Sequence, residues 1–271
     1  MLKSITLFFI SMFYIQDCCA KTITLNSNNF VSLVGPVSRS SVDDVIKGFS
    51  SKNVVEYIQD NKQINLYLNT PGGSVFAGNH LIQYINTLRE NNIQVDCIAQ
   101  NFMSMGFIIM QSCSKRYVMF DSIGMQHQMS LGMKGSIENF KAQFNLIERV
   151  NDHLTEMEIK RINITKSDYL SKILSDWWLY GNENVVENVA DELIHVKCSP
   201  TIVNEKVKKQ ESFFGFDIEI EMSKCPVLND IKIIERNSTT PVLKESNTTN
   251  VEKFYDFDNY IHNVKDIITK F

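Results

Sequence analysis

The chain has 271 residues, of which 44 % are hydrophobic and 21 % charged, and its formal net charge is −4. This composition is typical of a globular protein with a substantial core, and the length fits one large domain or a domain with an extension. No block of Lys and Arg is present, which excludes the charge pattern typical of nucleic-acid-binding proteins.

The first twenty residues are predicted to be a signal peptide. A short basic end is followed by an almost wholly apolar stretch at residues 5–15 and by small residues before Lys21. The apolar stretch is too short for a comfortable transmembrane helix. We therefore expect cleavage near Lys21 and a secreted or extracytoplasmic location. An organelle reached through the same leader and an uncleaved membrane anchor are the alternatives.

Four cysteines remain after this cleavage: Cys97, Cys113, Cys198 and Cys225. They allow three pairings, and sequence alone does not choose among them. Cys97 in a predicted core strand and Cys113 in a predicted core helix are interpreted as buried thiols. A bond between the other two would join the C-terminal segment to the domain. No Cys or His spacing is typical of a metal site, so we predict no metal.

Short apolar strands alternate with helices after Lys21, which predicts an α/β domain. The predicted strands are residues 29–34, 64–68, 93–99 and 117–119. A long amphipathic helix follows Ser136, a residue suited to cap its start. The pattern weakens beyond residue 196. We therefore divide the chain into a signal peptide (1–20), a domain (21–197) and an extension of unknown role (198–271).

The ends of three predicted strands carry the residue types of a hydrolytic site. Ser104 starts a helix, where its hydroxyl projects and the helix N-terminus favours developing negative charge. Gly72 and Gly73, at the end of the adjacent strand, can offer an N–H to an oxyanion. A serine nucleophile needs a base to take its proton, and His127 after the next strand is the predicted base. The commoner role of a serine like Ser104 is a simple helix cap.

The group that would orient this base is not decided by spacing. Asp176 lies between two short predicted helices and Asp121 follows a strand, and both positions are also typical of ordinary turns. The residues alone leave both candidates open. The remaining histidines have no comparable setting: His80, His153, His195 and His262.

Several segments resemble the signature segments of the Clp protease proteolytic subunit family. They are NTPGGSV at residues 69–75, AQNFMSMG at 99–106 and MQHQ at 125–128, and residues 176–191 resemble the family's aspartate segment. The resemblance covers residues 29–196. It implies a crotonase-like α/β fold, a superhelix of βαβ units with a protruding handle helix.

The resemblance further implies a catalytic triad in the order Ser104, His127, Asp176. It implies an oxyanion hole formed by the backbone N–H groups of Gly73 and Met105. The expected substrate-binding residues are Gly72, Leu131, Gly132 and Met133, within or near an extended segment that pairs with the substrate backbone. The handle helix would stack subunits of a homo-oligomeric ring, and no cofactor is implied.

Some features depart from the family pattern. Few residues precede the first strand after cleavage, and Met129 replaces a proline that commonly follows His-Gln in the family. Residues 200–271 have no family counterpart, and secretion would separate the protein from cytosolic ATPases. The predicted function is a serine endopeptidase that hydrolyses peptides or unfolded polypeptides without a Clp ATPase.

Three alternatives stay open. The same fold serves acyl-CoA hydratases and isomerases, in which paired N–H groups hold a thioester enolate. A peptidase similar to signal peptide peptidase A would use a Ser/Lys pair. A catalytically inactive subunit would act as a scaffold, with Ser104 as a simple cap.

Overall fold

The computed structural model describes residues 20–130, 132, 135–213, 216–228 and 232–237. Seven strands form the main sheet in the order β1-β7-β5-β4-β3-β2, with β6 paired to β5 beside this path. Their bounds are Thr22–Leu25 (β1), Phe30–Val34 (β2), Gln63–Thr70 (β3), Gln94–Met103 (β4), Arg116–Gln126 (β5), Trp177–Tyr180 (β6) and Glu192–Cys198 (β7). Neighbours along the path are parallel, whereas β6 runs antiparallel to β5.

Helices cover this sheet and complete the α/β fold. Their bounds are Arg39–Phe49 (α1), Lys52–Asn61 (α2), Val75–Glu90 (α3), Met105–Ser112 (α4), Ile137–Ile162 (α5), Lys166–Lys172 (α6), Glu183–Val186 (α7) and Pro200–Asn204 (α8). The mainly parallel sheet with its helices confirms the predicted fold class. The four predicted strands correspond to β2, β3, β4 and β5, whereas β1, β6 and β7 were not predicted. In the described part of the chain, no helix is both long and apolar enough to cross a membrane.

The core lies on both faces of the central strands. In β3, Leu66, Tyr67 and Leu68 are each 0 % exposed. Leu66 and Leu68 belong to the larger apolar cluster, whereas Tyr67 belongs to a second cluster on the opposite face. This double burial explains the continuous apolar run of the strand, since parallel strands are covered on both sides.

β5 changes its partner part-way along its length. Residues 117–119 pair with β7 and residues 123–126 pair with β6. Opposite β4, the register shifts between Ala99 and Asn101, which bends the strand as a bulge does. The end of β5 therefore lies between β4 and β6.

A buried arginine at the start of β5 forms hydrogen bonds with neighbouring elements. Arg116 is 2 % exposed, and its guanidinium donates to the carboxylate of Asp191 at 2.5 Å and to the side chain of Gln111 at 2.7 Å. Arg161, near the end of α5, contacts the second carboxylate oxygen of Asp191 at 3.2 Å. This cluster ties β5, α4 and α5 to the segment before β7.

α5 is the protruding helix that the resemblance implies. The hydroxyl of Ser136 accepts from the amide of Asn139 at its start, and Asn163 ends it in the left-handed conformation. Residues 136–146 are exposed. The buried side chains lie in the second half: Leu154, Thr155, Glu158 and Ile162.

The extension contains structure that the sequence analysis did not predict. After α8, three strands form a separate antiparallel sheet in the order β10-β9-β8. Their bounds are Lys206–Phe213 (β8), Phe216–Ser223 (β9) and Lys232–Asn237 (β10). Residues 238–271 and the predicted signal peptide, apart from Ala20, lie outside the described residues.

Two disulfides occur among the described residues. Cys198–Cys225 joins β7 to the segment after β9, with a Cα–Cα distance of 5.9 Å. Cys97 and Cys113 are both buried but bonded to each other, with a Cα–Cα distance of 5.7 Å. The interpretation of this second pair as thiols is therefore wrong, because α4 folds back so that its C-terminal end meets β4.

Replacing both Cys198 and Cys225 by serine should lower the free energy of unfolding by roughly 3 kcal/mol. The bond joins positions 27 residues apart, and its removal enlarges the conformational freedom of the unfolded chain. Chemical denaturation without reductant measures the difference. Peptide mapping of the unreduced wild-type protein is the control, and free thiols at these positions would contradict the pairing.

Candidate active site

Ser104 lies between β4 and α4 in a strained backbone conformation. Its φ of 52° and ψ of −118° are unusual for a residue with a side chain, because positive φ brings Cβ against the backbone. The amide of Ser104 donates to the carbonyl of Met125 at 2.8 Å. The hydroxyl makes no capping bond to α4, so it is available for another partner.

His127 directly follows β5 and provides that partner. Its Nε2 is 2.9 Å from the Oγ of Ser104, a distance suited to proton transfer from the hydroxyl. The parallel register sets Met103 of β4 opposite Met125 of β5, so both strands end at the same edge of the sheet. The structure thus brings together the predicted nucleophile and the predicted base.

Asp176 lies immediately before β6. The antiparallel register pairs Trp177 with Gln126, and continuing it by one residue sets Asp176 opposite His127. The side chain of Asp176 is exposed, as is that of Asp121 in β5. Among the described residues, no hydrogen bond joins either carboxylate to His127. The backbone of Asp176 is therefore aligned with that of His127, but the two side chains are not hydrogen-bonded.

The glycine loop after β3 packs its backbone against the nucleophile. A Cβ on Gly72 would lie 2.7 Å from the Cβ of Ser104 and 2.6 Å from the carbonyl oxygen of Met103. Gly72 also has a φ of 91°, which favours glycine. Gly73 forms an isolated parallel bridge with Val37, which fixes the loop beside α1.

Two backbone donors lie beside the Ser104 hydroxyl. No hydrogen bond between described residues uses the amide of Gly73 or of Met105. Both residues line one cavity together with Ser104 and His127. Free amides in a glycine loop and at a helix start are the kind of donor that stabilises an oxyanion. They are the two residues that the resemblance assigns to an oxyanion hole, and that role stays a prediction.

The sequence analysis missed a buried carboxyl that lines the same cavity. Glu158 of α5 is 2 % exposed, and it accepts hydrogen bonds from Gln126 Nε2 at 2.5 Å and from the Tyr169 hydroxyl at 2.8 Å. Burial raises the pKa of Glu158 to about 8, although these two bonds act in the opposite direction. Gln126 also accepts from the backbone N–H of His127 at 3.1 Å. The network therefore reaches the candidate base.

The predicted substrate-binding segment is described only in part. Gly132 is exposed, whereas Leu131 and Met133 lie outside the described residues. Within the residues that the structure does describe, no group of three or more His, Cys, Asp or Glu side chains is placed to hold a metal ion.

The sequence model of the family described as Clp protease matches residues 16–197, more than half of the chain. The chain belongs to the Clp protease family. The matched range contains all of the seven-stranded sheet except Cys198, the last residue of β7, together with α5 and every candidate site residue. Membership supports a Clp-protease-like peptidase at the level of the family.

Two relatives carry the name ATP-dependent Clp protease proteolytic subunit. The protein from Deinococcus radiodurans is 26 % identical over 136 residues, which cover 49 % of this chain and 65 % of that protein. The protein from Borrelia garinii subsp. bavariensis is 26 % identical over 166 residues, which cover 60 % of this chain and 83 % of that protein. The chain thus spans just under two thirds of the Deinococcus relative and more of the Borrelia one.

Ser104→Gly should be more stable than Ser104→Ala by about 1 kcal/mol, because glycine adopts positive φ without the steric penalty of a Cβ. At an ordinary helical position alanine is the more stable of the two. The same substitutions at Gln143, an exposed residue of α5, are the matched control. Denaturant unfolding compares the four variants. Equal stability of both variants at position 104 would contradict a strained turn.

Glu158→Gln should make the free energy of unfolding less dependent on pH. The folded protein keeps the proton of Glu158 up to about pH 8, whereas the unfolded chain releases it near 4.5. The stability that this neutral carboxyl contributes is complete below pH 4.5 and is lost as the pH rises towards 8. The loss reaches about 1.4 kcal/mol per pH unit at most.

Urea unfolding between pH 4.5 and 8.5 measures this dependence. Glu156→Gln makes the same chemical change at an exposed position of α5 and should keep the wild-type slope. If Glu158→Gln also keeps that slope, the carboxyl is not neutral in the folded protein.

Proposed function

We propose that the protein is a serine endopeptidase that hydrolyses peptides or unfolded polypeptides. The observation that carries this proposal is the 2.9 Å distance between Ser104 Oγ and His127 Nε2, at a strained turn on the edge of the sheet. In this mechanism His127 takes the hydroxyl proton while Oγ attacks the carbonyl carbon of the substrate. The proton then passes to the leaving amine, and a water activated by the same base hydrolyses the acyl-enzyme.

The amides of Gly73 and Met105 receive the negative oxygen of the tetrahedral intermediate. One such donor typically contributes about two to three decades in kcat. The close contact of Gly72 with Ser104 supports this role, because it brings the glycine loop within reach of the reacting carbonyl. The N-terminus of α4 adds the positive end of its dipole.

Asp176 orients His127 by accepting a hydrogen bond from Nδ1–H. The register of β5 and β6 supports this assignment, because it continues to a position that sets Asp176 opposite His127. The exposed carboxylate turns towards the ring when the active state forms. Asp121 lies earlier in β5, five residues before Gln126, which pairs with β6. The strand register therefore does not set Asp121 opposite His127.

The substrate binds in an extended conformation. Leu131, Gly132 and Met133, with the flanking residues up to 135, pair with its backbone as an added strand. The exposure of Gly132 between the site and α5 supports this pairing. Gly72 contacts the substrate from the opposite loop.

The active assembly is a homo-oligomer. Ile137, Phe140 and Phe144 are 75 %, 48 % and 41 % exposed on the protruding half of α5, and their spacing places them along one side of the helix. Exposed apolar side chains in a contiguous row favour a protein interface. The relatives from Deinococcus and Borrelia are both named as subunits, which agrees with a ring.

The protein acts without a Clp ATPase, in an oxidising compartment outside the cytosol. Its two disulfides, Cys97–Cys113 and Cys198–Cys225, support this location, because disulfides persist in oxidising compartments and are rare in the cytosol. The apolar leader at residues 5–15 supports the same route.

Ser104→Ala should abolish labelling by a fluorophosphonate probe and lower kcat/KM for an unfolded protein substrate by at least about 10⁴-fold. Asp176→Asn should lower kcat by roughly 10³- to 10⁴-fold, because the imidazole then adopts the wrong tautomer. Asp121→Asn is the matched control and should keep wild-type activity. Mass spectrometry of the labelled protein identifies the modified residue.

Other outcomes would point to other functions. Label on a different residue, or full peptidase activity in Ser104→Ala, contradicts the proposal. A folded oligomer that takes no label would indicate the inactive scaffold subunit. Turnover of an acyl-CoA that survives Ser104→Ala would indicate the acyl-CoA enzyme.

A further inference from the structure

A cavity of about 70 Å³ opens beside the candidate catalytic pair. Gly73, Ser104 and His127 line it there, and its other walls come mostly from α4, α5 and the residues that flank them in the fold, including Gln126 and Tyr169. A water molecule needs roughly 10–15 Å³ of such volume. The cavity therefore has room for about five to seven non-hydrogen atoms, which is the size of one amino-acid side chain.

The position of this cavity determines which substrate side chain it would receive. In the proposed reaction the attacked carbonyl carbon lies between the Oγ of Ser104 and the amides of Gly73 and Met105, and all three residues line the cavity. The Cα of the same substrate residue is one bond away from that carbon. Its side chain therefore starts at the cavity.

The most deeply buried polar lining is a carboxyl with two neutral partners. Glu158, Gln126 and Tyr169 are 2 %, 3 % and 1 % exposed, and each carboxyl oxygen accepts one hydrogen bond. Among the described residues, no Lys, Arg or His side chain forms an ion pair or hydrogen bond with Glu158. A buried carboxyl without a counter-charge holds its proton, in agreement with its raised pKa. His127 is a further titratable group that lines this cavity.

Buried apolar side chains form another part of the lining of the cavity. Met105, Ile108, Leu154 and Ile173 line it, and each is less than a tenth exposed. Such walls suit methylene groups, and a carboxyl suits a terminal ammonium group. Four methylenes that end in an ammonium are the side chain of lysine, whose five non-hydrogen atoms match the volume.

We propose that Glu158 is a specificity-determining residue that selects lysine on the carbonyl side of the cleaved bond. This inference rests on the proposed peptidase function. The lysine ammonium supplies the counter-charge that Glu158 lacks, and the carboxyl releases its proton to the solvent when the substrate binds. The free second lone pairs of the carboxyl oxygens accept the ammonium without displacing Gln126 or Tyr169.

The test uses fluorogenic peptides that differ only in the residue before the cut, which is lysine or norleucine. Norleucine keeps the four-carbon chain and lacks the ammonium. The wild-type protein should show a kcat/KM about ten- to a hundredfold higher for lysine, the factor expected for a hydrogen bond to a charged group. In Glu158→Gln the ratio of the two kcat/KM values, lysine to norleucine, should fall to about one.

Two further measurements distinguish an effect of the pocket from an effect of surface charge and from an effect on turnover. Glu156→Gln, an exposed change on the same helix, should keep the lysine preference. The Ser104→Ala variant should bind a peptide that ends in lysine more tightly than one that ends in norleucine. The double variant Ser104→Ala, Glu158→Gln should bind the two peptides with equal affinity. This binding experiment needs no catalysis.

Each result decides between the two proposals. Hydrolysis or binding of the norleucine peptide as strong as that of the lysine peptide overturns the specificity assignment, whether or not the peptidase is active. Tighter binding of the lysine peptide with no hydrolysis of any peptide would contradict the peptidase proposal and support the assignment of the cavity.

Discussion

The hydrogen bond from the amide of Ser104 to the carbonyl of Met125 holds the end of β4 against the end of β5, and the geometry of the candidate site depends on it. It belongs to the last pair of the two strands, in which Met103 lies opposite Met125. Ser104 and His127 consequently leave their strands at the same edge of the sheet and meet. The strained turn at Ser104 persists because buried structure determines it on both sides: β4 precedes it, and every residue of α4 is buried.

The two halves of the long helix α5 differ in where their apolar side chains lie. Its first half exposes them, whereas its second half buries Leu154 and Ile162 in the core. Glu158 lies between them on the buried face, where a carboxyl is unfavourable unless it is neutral or paired. Its two hydrogen bonds reduce that penalty without a cation. A burial cost retained beside a candidate catalytic pair is more typical of a functional group than of a stabilising one.

Much of the fold followed from the sequence, because apolar strand runs with helices between them specify a parallel sheet whose strand ends converge. That convergence also placed Ser104 beside His127. Glu158 was not predicted, because a charged residue on a helix is usually solvated. Its spacing of four residues from both Leu154 and Ile162 places it on the same face of the helix as these two. The partner change of β5 and the Cys97–Cys113 pairing depend on how distant elements approach. Local residue patterns do not contain that information.

Glu158 and Asp176 differ in how firmly their carboxyl groups are held. Glu158 is held by buried hydrogen bonds and packed helices, so any displacement would break contacts in the core. Asp176 is exposed and unbonded to the base, so turning its side chain costs only rotamer freedom. In the proposed peptidase the pocket is therefore set by the folded core, whereas the contact between Asp176 and His127 would form by a side-chain rotation. Such a site would select its substrate with rigid groups and complete its catalytic contacts with an exposed one.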